Sequence, residues 1–414
     1  MADDWGRKRA EPVAVGPPRH RMSRAGRIRA EKGRRRRRTA GGIALAMLVV
    51  VVVAAVFLGS KLWHSFAGTP DDFAGDGGSD VVIQVHDGDS TTAIGQSLHD
   101  KNVVATVKSF VDAASGNTAI QAIQPGFYKL RTELPGSGAV DRLVDPAYRV
   151  GKLTIPEGKQ LDDTSDVKTN AVTEGIFTLI SQATCVDLDG EKHCVSGGDL
   201  RSAAISATAA DLSIPDWATG PVMAMGNDHR RIEGLIAPGT WNVDPSASPK
   251  QILGSLISAS TNQYTTNGLL DTAKAMNMSP YDILVVASLV QREAKPQDFG
   301  KVARVIYNRL QQHRKLEFDS TVNYALDRQE VATTDGDRAK VTPWNTYASE
   351  GLPATPICSP GDQALAAAER PEAGDWLYFV TIDMQGTTLF TKDYEQHLAN
   401  IELAKRNGVL DSAR

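Results

Sequence analysis

Among the carboxylates of this 414-residue chain, Glu293 is the one best placed for acid chemistry. It lies in the stretch Ser279 to Leu310, SPYDILVVASLVQREAKPQDFGKVARVIYNRL. Ile283, Val286 and Val290 recur at helical spacing, and Glu293 follows three residues later on the same stripe. A carboxylate there meets partial burial and the negative end of the helix dipole. Both disfavour its charge, which predicts a raised pKa and a proton retained near neutral pH. A general acid needs that property. The competing reading is a solvated helix-end Glu paired with Arg292 or Lys295.

The elements around Glu293 can be read from local signals. Ser279 is a good N-cap, Pro280 suits the first helical position, and Asp282 lies where a capping box would place an acid. Asp298 can cap a second helix whose Phe299, Val302, Ile306 and Leu310 face inward and which Asn308 and Arg309 end. LEFDSTVNYAL then offers Asp319, Ser320, Thr321 and Asn323. The loop Pro343 to Gly361, PWNTYASEGLPATPICSPG, holds four prolines and two glycines, so it is long, rigid and non-repetitive. Its Trp344, Asn345 and Tyr347 pair flat aromatic faces with polar groups, the combination that carbohydrate sites use. Ser359-Pro360 starts a further helix, Trp376 to Thr381 reads as a strand, and Phe390 leads into a closing helix with His397. Upstream, IEGLIAPGTWNV from Ile232 to Val243 places Glu233 in a loop-like stretch. That stretch either lines a groove or is a structural turn with Trp241 as a core plug. Ser248-Pro249 begins a helix with Ile252, Leu253, Leu256 and Ile257 inside.

The net charge of -4 hides an asymmetry. Residues 1–40 carry 14 Lys/Arg against 4 Asp/Glu, and the remainder is correspondingly acidic. Arg34 to Arg38 are unbroken, and the tail offers almost nothing to bury, which predicts disorder. From Ala40 to Ser60 there is no charged residue over 21 positions. That length crosses about 30 Å of hydrocarbon as a helix. The expectation is a single transmembrane helix over 41–60, longer than a signal-peptide core. Arginines just before the span keep the tail cytoplasmic and place the body outside, bound to the plasma membrane. Topology and lipid contact account for the Arg run, so no nucleic-acid partner is expected. Residues 61–80 read as a Gly- and Asp-rich spacer.

Residues 81–146 predict strand, helix, helix, strand: Val81–Val85, a helix with Ile94 and Leu98, a helix with Val107, Phe110, Val111 and Ala114, and a strand at 126–130. This order resembles the LysM-like module of some cell-wall proteins. Phe127 and Tyr128 could stack on sugar or pack in the core. Val150 to Pro156 is another strand, and residues 159–225 alternate polar runs with Ala-rich helical stretches. There Cys185 and Cys194 flank VDLDGEKH, whose Asp189-Gly190 reads as a hairpin turn. Outside the membrane such a pair is expected to form a disulfide worth roughly 2–3 kcal/mol. Two Cys and His193 do not complete a ligand set, so no metal site is expected. Cys358 is left unpaired, with a buried position expected.

Taken together, ASLVQREA, VIYNRL, LEFDSTVNYAL, PWNTYASEGLPATPICSPG, LYFV and Phe390 seven residues before His397 resemble, in order, the YceG-like endolytic murein transglycosylases (the MltG family). TIPEG and IEGLIAPGTW also match, and the resemblance covers roughly residues 80–405. It implies an α+β protein with a mixed α/β catalytic domain over 147–414. It further implies an enzyme that cuts nascent glycan strands of peptidoglycan between N-acetylmuramic acid and N-acetylglucosamine, leaving 1,6-anhydromuramyl ends without cofactor or metal. Glu293 aligns with the family's catalytic Glu, and Asn308, Thr321, Asn345, Tyr347 and Glu233 are implied substrate contacts. Wall-synthesis enzymes are implied partners. The chain departs from the family in having Gln291 where many members carry an acid, Ser320 where Pro is frequent, and Thr388 where a His is frequent. Two other classes remain in view. One is a non-catalytic wall-binding scaffold for synthases. The other is a hydrolysing muramidase, for which Glu233 or Asp319 would be the second carboxylate.

Overall fold

Strand and helix alternate along a chain whose hydrophobic residues gather into two cores, one for residues 83–143 and one for residues 153–368. A computed structural model describes residues 72–326 and 333–409. The basic tail, the apolar stretch Ala40–Ser60 and most of the spacer fall outside the described residues. Among those described, no helix is long and apolar enough to cross a membrane. The content is mixed helix and strand, an α+β arrangement.

The first core forms because apolar residues recur at the right period on each element. Strand Asp80–Val85 pairs antiparallel with Gly126–Arg131, which pairs in turn with Arg149–Val150. Helices Thr91–Asp100, Val107–Ser115 and Gly136–Val144 pack beside this sheet. Ser90 and Thr106 cap the first two through hydroxyls that accept from Ala93 N–H and Ser109 N–H. Ile83, Leu98, Phe110, Leu130 and Leu143 fill the space between. Phe127 and Tyr128 are both buried, and the Tyr128 hydroxyl donates to the Gln124 carbonyl at 2.7 Å.

Gly151 separates this sheet from the body. Its φ of +70° is left-handed, and a Cβ there would lie 1.9 Å from the Val243 carbonyl oxygen. The chain then forms Lys152–Ile155, paired antiparallel with Gly239–Asn242. The predicted hairpin is present as Val186–Leu188 against Glu191–His193, with Asp189 and Gly190 both at positive φ. Cys185 and Cys194 are disulfide-bonded across its base. Its tip docks on the first sheet: Asp80 N–H donates to Asp189 Oδ1 and Asp189 N–H to Asp80 Oδ2, each at 2.9 Å.

At the centre of the body is the helix Pro280–Glu293. The Ser279 hydroxyl accepts from Asp282 N–H at 3.0 Å, one half of a capping box. The sequence predicts one buried stripe, but Tyr281 and every residue from Ile283 to Val290 are buried. Leu284, Val285, Ala287 and Leu289 make the helix apolar all round, and neighbours cover each face. Those neighbours are helices Asp216–Ala224, Leu269–Met276, Phe299–Gln311, Asp319–Tyr324 and Asp362–Glu369. Asp298 precedes the Phe299–Gln311 helix without a side-chain cap. Helix Pro249–Thr266 starts with a full capping box between Ser248 and Gln251. Strand Tyr378–Thr381 pairs with Thr388–Thr391, and helix Tyr394–Arg406 closes the body, with His397 stacked on Tyr378.

Candidate active site

Glu293 is the last residue of the central helix, and Ala294 after it is extended. Nine buried residues hold the helix rigid, so the carboxyl group is delivered to the core's edge from a fixed base. It is half-buried there. The Ser320 hydroxyl donates to Glu293 Oε1. Burial pushes the Glu293 pKa up to about 7, and the negative charge of Asp319 adds to the rise. Hydrogen bonding from Ser320 and the Arg292 guanidinium oppose it. The reading of Glu293 as a group that keeps its proton near neutral pH therefore has a direct physical cause.

Ser320 is the second residue of the short helix Asp319–Tyr324, where main-chain N–H groups have no partner within the helix. Its neighbours on either side are anchored. Asp319 Oδ1 accepts from Tyr347 OH at 2.9 Å, Thr333 Oγ1 at 2.7 Å and Arg338 Nε at 3.1 Å. Its Oδ2 accepts from Arg338 Nη2 at 3.0 Å. Thr321 is 0% exposed. Its hydroxyl donates to the Phe318 carbonyl at 2.6 Å, accepts from Thr346 N–H at 3.2 Å and lies 2.9 Å from Thr346 Oγ1.

The structure gives the other candidate residues internal partners. Asn345 is 3% exposed; its amide N–H groups donate to the carbonyls of Arg338 and Lys340, and its Oδ1 accepts from Tyr347 N–H at 2.8 Å. It ties the 337–348 turn together. Asn308 Nδ2 donates to the Gly374 and Trp376 carbonyls at 3.2 and 2.9 Å. Neighbouring residues of the same VIYNRL motif behave alike. Tyr307 OH reaches the Ala368 carbonyl, and the buried Arg309 reaches those of Leu377 and Leu316, all at 2.7 Å. Glu233 is 1% exposed. Its Oε2 accepts from Leu161 N–H at 3.2 Å and Tyr324 OH at 2.8 Å, and burial pushes its pKa up to about 8. Glu233 is thus a neutral acid of the interior at ordinary pH. Tyr347 remains at the surface beside Glu293, half-buried, with its hydroxyl on Asp319.

Of the sequence candidates, the structure brings together Glu293, Ser320, Asp319 and Tyr347. Thr321 and Asn345 lie behind them as supports, and Asn308 and Glu233 serve other segments. Trp344 is buried, with the Arg230 guanidinium 3.9 Å over its ring and Tyr324 at its edge. Its flat face is therefore covered by protein. Cys358 is buried against Ser288. Sequence reasoning missed the Asp319–Arg338 pair, because Arg338 follows a stretch with no periodic pattern. It offered Ser320 as a polar group and as a departure from the family but gave it no role, although a Ser at the start of a helix does present two donors to an anion.

The model of the YceG-like family matches residues 83–403, most of the chain. The chain belongs to the YceG-like family. It is 28% identical over 320 residues to the endolytic murein transglycosylase of Bacillus subtilis, spanning 77% of this chain and 82% of that protein. It is 25% identical over 345 residues to the endolytic murein transglycosylase of Streptococcus pneumoniae, spanning 78% of this chain and 58% of that longer protein. The crystal structure of a yceG-like protein from Listeria monocytogenes superposes with a TM-score of 0.50 at 25% identity, over 77% of this chain and 98% of that one. The YceG-like match spans both cores and all the residues around Glu293 described above.

Proposed function

We propose that this chain is an endolytic murein transglycosylase, with Glu293 as the single acid–base group. The observation that carries the reading is a half-buried carboxylic acid raised to about 7 at the end of a rigid helix, with neither Asp319 nor Glu233, the two alternatives, free to act. Asp319 is the nearest alternative, and both of its oxygens already hold donors from Arg338, Tyr347 and Thr333. An aspartate saturated in this way is a poor activator of water. Glu233 is enclosed in the interior. Among the described residues, hydrolysis by paired carboxylates is therefore without its second member.

Cleavage through an internal nucleophile needs only one such group. Glu293 protonates the glycosidic oxygen as the bond between N-acetylmuramic acid and N-acetylglucosamine breaks. The resulting carboxylate then takes the proton of the muramic acid C6 hydroxyl, whose oxygen closes the 1,6-anhydro ring. The proton gained balances the proton given, and the enzyme returns to its starting state. Tyr347, half-buried, with its hydroxyl on Asp319 and the Arg338 guanidinium 5.0 Å over its ring, is the aromatic candidate for a sugar contact at this edge. Cutting nascent strands internally would terminate their elongation.

The remaining parts of the reading rest on sequence. The Ala40–Ser60 stretch anchors the chain in the plasma membrane as a single span, with the basic tail cytoplasmic and the body facing the wall. Residues 81–146 act as a LysM-like glycan-holding module ahead of the catalytic domain, and wall-synthesis enzymes are the natural partners of an enzyme acting on new strands.

The test is to incubate the full chain and its Glu293→Gln variant with uncrosslinked glycan strands and read the products by mass spectrometry. Internal cuts with anhydromuramyl ends are expected from the first, with a fall of about 10²–10⁴-fold in the second. Reducing muramic ends would replace the lytic reading by hydrolysis. Equal activity in both chains would remove Glu293 from its role, and no cleavage by the full chain would favour the scaffold.

A further inference from the structure

We propose that Ser320 is a positioning residue for Glu293: its hydroxyl grips the carboxyl group and fixes its rotation. The inference rests on the reaction proposed above.

The need for such a grip follows from the geometry of the acid. The terminal torsion of a Glu side chain is broad and roughly two-fold, so a fixed backbone does not fix the carboxyl plane. Glu293 ends its helix, and the chain turns extended at Ala294, so no following turn of helix exists to pack against it. The Ser320 hydroxyl on Oε1 fills this gap.

The grip is itself held in place. Asp319 before Ser320 is tied by Arg338, Tyr347 and Thr333, and Thr321 after it by Phe318 and Thr346. Arg309 fixes the chain just upstream through the Leu316 carbonyl. A side chain with anchors on both sides cannot drift without breaking buried bonds. Electrostatics give the contact a second consequence. Burial and Asp319 favour the neutral acid, while hydrogen bonding from Ser320 favours the carboxylate. A group that must give a proton and then take one needs that balance near the working pH.

Two substitutions in the full chain separate this role from a plain helix-start role. Ser320→Ala removes the hydroxyl. Ser320→Thr keeps it. The readouts are the pH profile of kcat on glycan strands and a carbon-13 titration of the Glu293 carboxyl in protein without substrate. Ser320→Ala is expected to move the alkaline limb and the titration upward by about half to one pH unit. It should lower kcat about tenfold, with KM changed less than about twofold. Ser320→Thr should restore the wild-type profile. An unmoved titration in folded Ser320→Ala overturns the proposal, as does a Thr variant as impaired as the Ala variant. A titration that responds to Ser320 in a chain that cuts no glycan would count for the contact and against the proposed reaction.

Discussion

At the scale of single residues, the half-buried Glu293 and the buried Glu233 should govern how stability changes with pH. Glu293 keeps its proton in the folded chain to about pH 7, against an ordinary value of 4.5. A raised folded pKa means that the unfolded chain gives up its proton first. Stability therefore falls as pH rises from about 4.5 through 7, and the loss is complete above that. Glu293→Gln carries no such titration. Its stability should approach that of the wild type at pH 4.5 and exceed it by about 2–3 kcal/mol at pH 8. Urea unfolding at the two pH values checks this, and an equal difference at both would show that the carboxyl is not held neutral. Glu233, raised to about 8, extends the same loss to higher pH. Glu233→Gln should remove that part alone while leaving the products of glycan cleavage unchanged.

At the scale of elements, the segment from Phe318 to Tyr347 acts as a bracket around one hydrogen bond. Thr321 and Thr346 lock the start of the short helix, and Asn345 locks the turn that carries Tyr347. Thr321→Val leaves the Thr346 N–H without its acceptor in a buried place, at a cost of about 1–3 kcal/mol. The expected result is a lower melting temperature and a lower kcat with KM nearly unchanged, because the hydroxyl supports the acid's partner and not the sugar. A raised KM with unaltered stability would instead place Thr321 against the glycan. Much of this bracket was legible as a list of polar residues. The residue types were right for a carbohydrate site, but sequence does not say whether an amide faces a ligand or a carbonyl of its own chain. Asn308 bonds carbonyls 66 and 68 residues away, and Asn345 bonds carbonyls 5 and 7 residues away.

At the scale of the whole molecule, the disulfide hairpin links the two cores. The bond closes a short loop, and its tip exchanges two hydrogen bonds with Asp80 at the first strand while Lys129 bridges to Asp80 at 2.9 Å. Replacing Cys185 and Cys194 together by Ala should lower stability by about 2–3 kcal/mol on loop-closure grounds. Hydrogen exchange should show added opening at both Val186–His193 and Asp80–Val85. Opening confined to the hairpin would mean that it does not tie the cores together.

The sequence by itself determined the local elements and singled out Glu293 as the candidate acid. The helix starts at Ser248 and Ser279, the Asp189-Gly190 turn and the period of apolar residues act over a few positions, so they can be read without a fold. Glu293 was legible for the same reason, since helical spacing alone puts it on the inner side of its helix. Tertiary structure decided everything that depends on distant partners. It wrapped the central helix on all sides, enclosed Glu233 between Leu161 and Tyr324, covered Trp344 with Arg230, and saturated Asp319 with Arg338 and Tyr347. It also brought Ser320 to Glu293 across 27 residues of chain. Desolvation and charge pairing are set by what packs around a group, and that is fixed only when the chain has folded.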